Sequence, residues 1–207
     1  MKIAVFGGTG KTGKPFVEQA LEAGHSIRML ARNPVKVDIK HESLEVVQGD
    51  VCVLEDVRKV LHDQEAVCCA IGGNGLGDST TRTKGTKNIV AAMKEYAVRP
   101  LVICSALGQG KSKKHLSLVG KMVLHSILKN PMSDHADQEA VVLNSGLDWV
   151  IVRPPRLTDG PKTEKYRWAA EEDSFGGSRI SRADVAHFML RSLQEEGWYQ
   201  KAISISS

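Results

Sequence analysis

Short apolar runs alternate along this chain with longer segments whose apolar residues recur every third or fourth position. The first pattern suits buried strands, and the second suits helices packed along one face. Ile3–Phe6, Ser26–Leu30, Leu44–Gln48, Ala66–Ile71, Leu101–Cys104, Asp148–Val152 and Ala202–Ile205 read as strands. Phe16, Val17, Ala20 and Leu21 share one helical face, as do Ile89, Val90, Ala92 and Met93 in a helix expected over Thr81–Tyr96. Further helices are predicted over Leu54–Leu61, Leu116–Leu128 and, after a break at Asn130-Pro131, Ser133–Leu143. Asn144-Ser145-Gly146 closes the last of these like a C-cap. Ser181 is placed to cap a final helix, with Asp184 at a capping-box position and Val185, Phe188, Met189 and Leu193 on its buried face. Arg156 to Gly177 shows no period and reads as one long irregular loop, the kind of segment that forms substrate pockets.

Strand and helix in alternation predict an α/β architecture: a doubly wound parallel sheet with helices on both faces. A length of 207 residues suits one domain over 1–207, with substrate loops at about 106–116 and 156–178. In such a sheet, ligands bind beyond the carboxyl ends of the strands, where the strand order reverses. Those ends carry turn-forming residues and loops: the first glycine loop, Gly72 to Gly75, Ser105 and the Pro154-Pro155-Arg156 corner.

The first strand runs directly into Gly7, Gly10 and Gly13, and a helix follows. This order suits a dinucleotide pyrophosphate: a tight turn, a backbone able to approach the phosphates, and a helix N-terminus aimed at the anion. Gly8, Gly13 and Lys14 also match the start of a P-loop, but Pro15 has no hydroxyl to offer Mg²⁺, so that reading fails chemically. After the second strand an NAD site usually places Asp or Glu, whereas this chain has Arg32, with Lys36 one turn on. A guanidinium can grip a 2′-phosphate through forked, charge-assisted bonds, so the expected coenzyme is NADP(H).

Composition narrows the setting. Hydrophobic content of 42% and charged content of 25% are ordinary for a soluble protein, and no apolar run approaches the roughly 20 residues that span a bilayer. The N-terminus enters a core strand at once, which argues against a signal peptide. The cysteines Cys52, Cys68, Cys69 and Cys104 lack metal-ligand spacing, and the last three lie in apolar runs as reduced space-fillers. No histidines pair at a metal-binding interval, so no metal site is expected. Net charge is +4, and the basic cluster Lys111, Lys113 and Lys114 lacks the interleaved aromatics of a nucleic-acid surface. The expectation is a cytoplasmic monomer that engages neither nucleic acid nor membrane.

Several of these segments together resemble the NmrA-like branch of the short-chain dehydrogenase superfamily, and within it the biliverdin-IXβ reductase/flavin reductase family. The resemblance rests on Phe6 to Gly13, Arg32, Gly49-Asp50-Val51 and Gly85 to Lys94. It extends through Ser105-Ala106, Ser145-Gly146-Leu147, Pro154-Pro155 and Ile180 to Leu190. It implies a Rossmann fold and an NADPH-dependent reductase acting on a flat conjugated acceptor, a flavin or linear tetrapyrrole. By position, Gly7, Thr9, Gly10, Lys11, Thr12 and Gly13 would hold the pyrophosphate and Arg32 the 2′-phosphate. Asp50 and Val51 would lie along the adenine, and Ile71 and Gly72 beside the nicotinamide-side ribose. Ser105 matches the family's serine beside the nicotinamide, and His135 a histidine placed near the substrate.

Two departures bear on the chemistry. Where the family can carry histidine after the two prolines, this chain has Arg156, which cannot donate a proton near neutrality but can hold a propionate or phosphate. The Tyr-x-x-x-Lys dyad of short-chain dehydrogenases is also missing: Pro100, Ala170 and Ile203 follow Tyr96, Tyr166 and Tyr199 at that spacing. Carbonyl chemistry through a tyrosine acid is thereby disfavoured. Hydride transfer to a flavin depends more on stacking and position, and solvent can supply its proton. Two other functions fit the same residues: a reductase or isomerase of another small metabolite, and a non-catalytic NADP(H)-sensing regulator.

Overall fold

Successive residues of a strand point to opposite faces of its sheet, and where both faces are covered, as at Ala66–Cys69 and Leu101–Cys104, the strand is apolar throughout. The computed structural model describes residues 1–73, 80–109, 129–170 and 177–207. Its main sheet contains β1 (Lys2–Phe6), β2 (Ser26–Ala31), β3 (Leu44–Gln48), β4 (Ala66–Cys69), β5 (Leu101–Cys104), β6 (Trp149–Arg153), β8 (Arg167–Ala170) and β10 (Lys201–Ser206). Strand order is β3-β2-β1-β4-β5-β6-β10-β8, and every pair is parallel except β10 with β8. β7 (Arg156–Thr158) and β9 (Arg179–Ser181) form a separate parallel pair.

The α-helices among the described residues are α1 (Gly13–Glu22), α2 (Leu54–Leu61), α3 (Thr81–Glu95), α4 (Lys129–Leu143) and α5 (Arg182–Ser192). Ile3 and Val5 of β1 pack with α1 and α5, through Phe16, Val17, Val185 and Phe188. Ala4 and Phe6 point the other way, into a second core with Val57 and Leu61 of α2, Ile89 and Met93 of α3, and Val142 of α4. This doubly wound Rossmann arrangement reverses its winding between β1 and β4, and the chain leaves both strands at that crevice.

Three expectations are corrected. β4 ends at Cys69 rather than Ile71: the Ala70 N–H still bonds to the Phe6 carbonyl at 2.8 Å, but Ile71 and Gly72 leave the ladder. Asn130-Pro131 is not a break, because residues 129–143 form one continuous helix, α4. The stretch after Arg156 is not irregular throughout, since it supplies β7 and the sheet-edge strand β8. The helix expected over Leu116–Leu128 and the lysine cluster at 111–114 lie outside the described residues.

Candidate functional site

The glycine loop follows from close backbone approach. Gly7 has φ +87°, and a side chain there would collide with the Ala70 carbonyl of the neighbouring strand. The Gly10 N–H bonds back to the Gly7 carbonyl at 3.0 Å, closing the turn. At Gly13, the first residue of α1, a Cβ would strike that same carbonyl, so the helix starts directly against the loop. The first turn of α1 contains no acidic residue, leaving its positive end uncompensated.

This loop forms one wall of a cavity of about 370 Å³ at the β1–β4 switch point. Its lining includes Gly7, Thr9, Gly10, Arg32, Asp50, Val51, Ile71 and Gly72, residues drawn from four strand ends. Lys11, Thr12 and Gly13 do not line it: the exposed Lys11 ammonium lies 3.9 Å from Asp159, and Thr12 precedes α1 as its N-cap. Cys52 and Thr81 also line the cavity, although nothing in the local sequence marks them. The signal for this wall is Gly85 inside α3, where a Cβ would come 2.8 Å from Val51 and 3.2 Å from Ile71. Asn88, one turn on, donates to the Val51 carbonyl at 2.9 Å and ties the wall to α3.

Asp50 acts on its own turn. Its carboxylate accepts the Cys52 N–H at 2.8 Å and so shapes the backbone there. Arg32 follows the end of β2, exposed on the cavity wall, with no ion-pair partner among the described residues.

Ser105, His135 and Arg156 do not line this cavity. Ser105 continues β5, its N–H bonded to the Val152 carbonyl at 2.8 Å. The side chain is buried, and its hydroxyl has no partner among the described residues. His135 stands on α4 beside Asp134. Burial, then the Arg82 guanidinium, pushes its imidazole down to about 4, and Nδ1 finds no hydrogen-bond partner among the described residues. Asp134, missed from sequence, accepts the Arg82 N–H at 3.2 Å and the Thr83 N–H at 3.0 Å, so it caps α3 from fifty residues away. No local pattern could have shown that cap. Glu139 and Arg153 make a buried bidentate pair at 3.0 and 2.7 Å, fixing α4 to the end of β6 just before Pro154.

A glycine cradle too tight for a Cβ, a helix N-terminus with no acidic residue in its first turn and an exposed arginine on the cavity wall fit a phosphorylated dinucleotide. Comparison with known proteins decides the family: residues 7–196 match the model of an NAD(P)H-binding family. The chain belongs to that NAD(P)H-binding family. An uncharacterized chloroplastic protein of Arabidopsis thaliana is 29% identical over 213 residues, covering 99% of this chain and 76% of that protein. A short-chain dehydrogenase/reductase from Veillonella parvula, solved with NADP, superposes with TM-score 0.84 at 18% identity, covering 100% of this chain and 94% of the other. An anaerobilin reductase of Escherichia coli gives 0.83 at 20% identity, covering 100% and 97%. At such identities the two structures establish the shared fold. The cavity of this NAD(P)H-binding protein lies at the switch point of the sheet, where doubly wound sheets bind ligands.

Proposed function

We propose that this protein is an NADPH-dependent reductase passing hydride to a flat conjugated acceptor, a flavin such as FMN or a linear tetrapyrrole, as in NmrA-like biliverdin-IXβ and flavin reductases. The observation that carries the coenzyme choice is Arg32, which stands in the cavity wall without an ion-pair partner among the described residues, at the place where an NAD site presents a carboxylate. When bound, the coenzyme supplies the hydride. Arg32 holds its 2′-phosphate, and the loop of Gly7, Thr9, Gly10, Lys11, Thr12 and Gly13 its pyrophosphate. Asp50 and Val51 flank the adenine, and Ile71 and Gly72 the second ribose. The unpartnered hydroxyl of Ser105 orients the nicotinamide end, because a buried hydroxyl gains most from a ligand that completes its hydrogen bonds. His135 is neutral near pH 7, so it positions the acceptor while solvent supplies the proton.

Steady-state NADPH oxidation with FMN, riboflavin, biliverdin and a quinone tests the reading. Turnover of at least one acceptor is expected, and Ser105→Ala lowers kcat about tenfold or more. The missing Tyr-x-x-x-Lys dyad favours one other reading, a non-catalytic NADP(H) sensor. Tight NADPH binding without oxidation by any acceptor selects it.

A further inference from the structure

The small sheet of β7 and β9 carries an arrangement that coenzyme binding does not use. Its register pairs Arg156 with Arg179, Leu157 with Ile180 and Thr158 with Ser181. Paired positions on neighbouring strands project from the same face, so the two arginine side chains begin about 5 Å apart. Both are exposed, while Ile180, next to Arg179, is buried and Leu157, next to Arg156, packs on the core, which pins the register. Neither arginine has an ion-pair partner among the described residues, although Arg182 and Lys11 close by both reach Asp159. Like charges facing each other across a strand pair are unfavourable unless an anion lies between them.

The position of the doublet makes it useful. At one end, the Leu107 N–H bonds to the Pro154 carbonyl at 2.8 Å, so β7 departs beside the segment that holds Ser105. At the other, Asp159 directly follows β7 and lies 3.9 Å from Lys11 of the glycine loop. A three-residue strand spans roughly 10 Å. Arg156 therefore stands two residues from the Pro154 carbonyl that meets the segment after Ser105, and three residues from Asp159, whose carboxylate meets the Lys11 ammonium of the glycine loop.

We propose that Arg156 and Arg179 form a two-guanidinium receptor for a phosphate monoester on the acceptor, so that a phosphorylated flavin is preferred to its unphosphorylated parent. Paired guanidinium forks match a dianionic phosphate in charge and geometry. The acceptor's identity as a flavin rests on the reductase reading above.

FMN and riboflavin differ only in that phosphate, and titrating each into NADP⁺-saturated protein by fluorescence quenching tests the receptor. Wild type is expected to bind FMN at least about tenfold more tightly than riboflavin, with a preference that shrinks as salt is added. Arg179→Gln and Arg156→Gln should each bring the FMN-to-riboflavin ratio toward one, and Arg179→Lys should restore part of it. Equal binding of the two flavins by wild type, including binding of neither, overturns the receptor. So does a loss of NADP⁺ affinity in the Gln variants that matches their loss of FMN affinity, because the arginines would then serve the coenzyme. FMN preference without any NADPH oxidation leaves the receptor standing and defeats the reductase reading alone.

Discussion

At the scale of single residues, charge and burial set what each side chain can do. Arg32 offers an exposed guanidinium at the cavity wall, so Arg32→Ala should weaken NADPH binding about 10- to 100-fold while leaving NADH nearly unchanged, as calorimetry with both coenzymes will show. His135 behaves oppositely, since burial opposes its charge. Its folded pKa of about 4 lies below the ordinary 6.5, so the unfolded chain takes up the proton first as pH falls. The stability tied to neutral His135 is therefore complete above pH 6.5 and lost between 6.5 and about 4. Urea unfolding should show a loss of order 2–3 kcal/mol over that window in wild type that His135→Gln reduces. The character of Arg32 was legible because it is an exception at a position where dinucleotide sites are otherwise acidic. The state of His135 was not, because burial by α3 and α4 depends on how those helices meet.

At the scale of elements, buried polar contacts hold the site-forming loops. Glu139 and Arg153, 5% and 2% exposed, tie α4 to β6 through two hydrogen bonds. Glu139→Ala strips Arg153 of that bidentate partner and should cost about 3–5 kcal/mol in denaturant unfolding, whereas the double variant Glu139→Leu/Arg153→Met should cost far less. Asp184 pins the segment after β7 to α5. Burial disfavours its charge, but bonds from the Thr163 and Glu164 N–H groups and the Thr163 and Ser181 hydroxyls outweigh this and hold its pKa below 3.8. That stabilisation is present above the unfolded pKa and disappears as pH falls through the lower folded value. Asp184→Asn should thus lose about 1–3 kcal/mol at pH 7, and its deficit against wild type should shrink in acid below pH 3.8. Ser181 as the cap of α5 could be read from its spacing to Asp184, and the structure has the Asp184 N–H on its hydroxyl at 3.0 Å. The reach of Asp184 to Thr163 spans twenty-one residues and leaves no local trace.

At the scale of the whole molecule, one mostly parallel sheet divides two apolar cores, and the cysteines report on its integrity. Cys68, Cys69 and Cys104 are free and buried in the sheet, and burial pushes the Cys69 thiol up to about 11 and Cys104 to about 12. Cys52 alone is exposed. A thiol reagent at neutral pH should label one cysteine in the native protein and the other three only as the fold opens, with the same denaturant midpoint as circular dichroism. Among the described residues no helix is long and apolar enough to cross a membrane.

The chain by itself determined seven of the eight strands of the main sheet, most of its described helices and the glycine loop, because periodicity, caps and tight turns are written in residues near one another. It also made the Arg32 exception visible. Only the tertiary structure decided that α4 runs unbroken through Pro131, that β7 and β9 bring two arginines side by side, and that Asp134 caps a helix fifty residues earlier. These features depend on groups distant in sequence meeting in space, where desolvation and hydrogen-bond completion outweigh local preference.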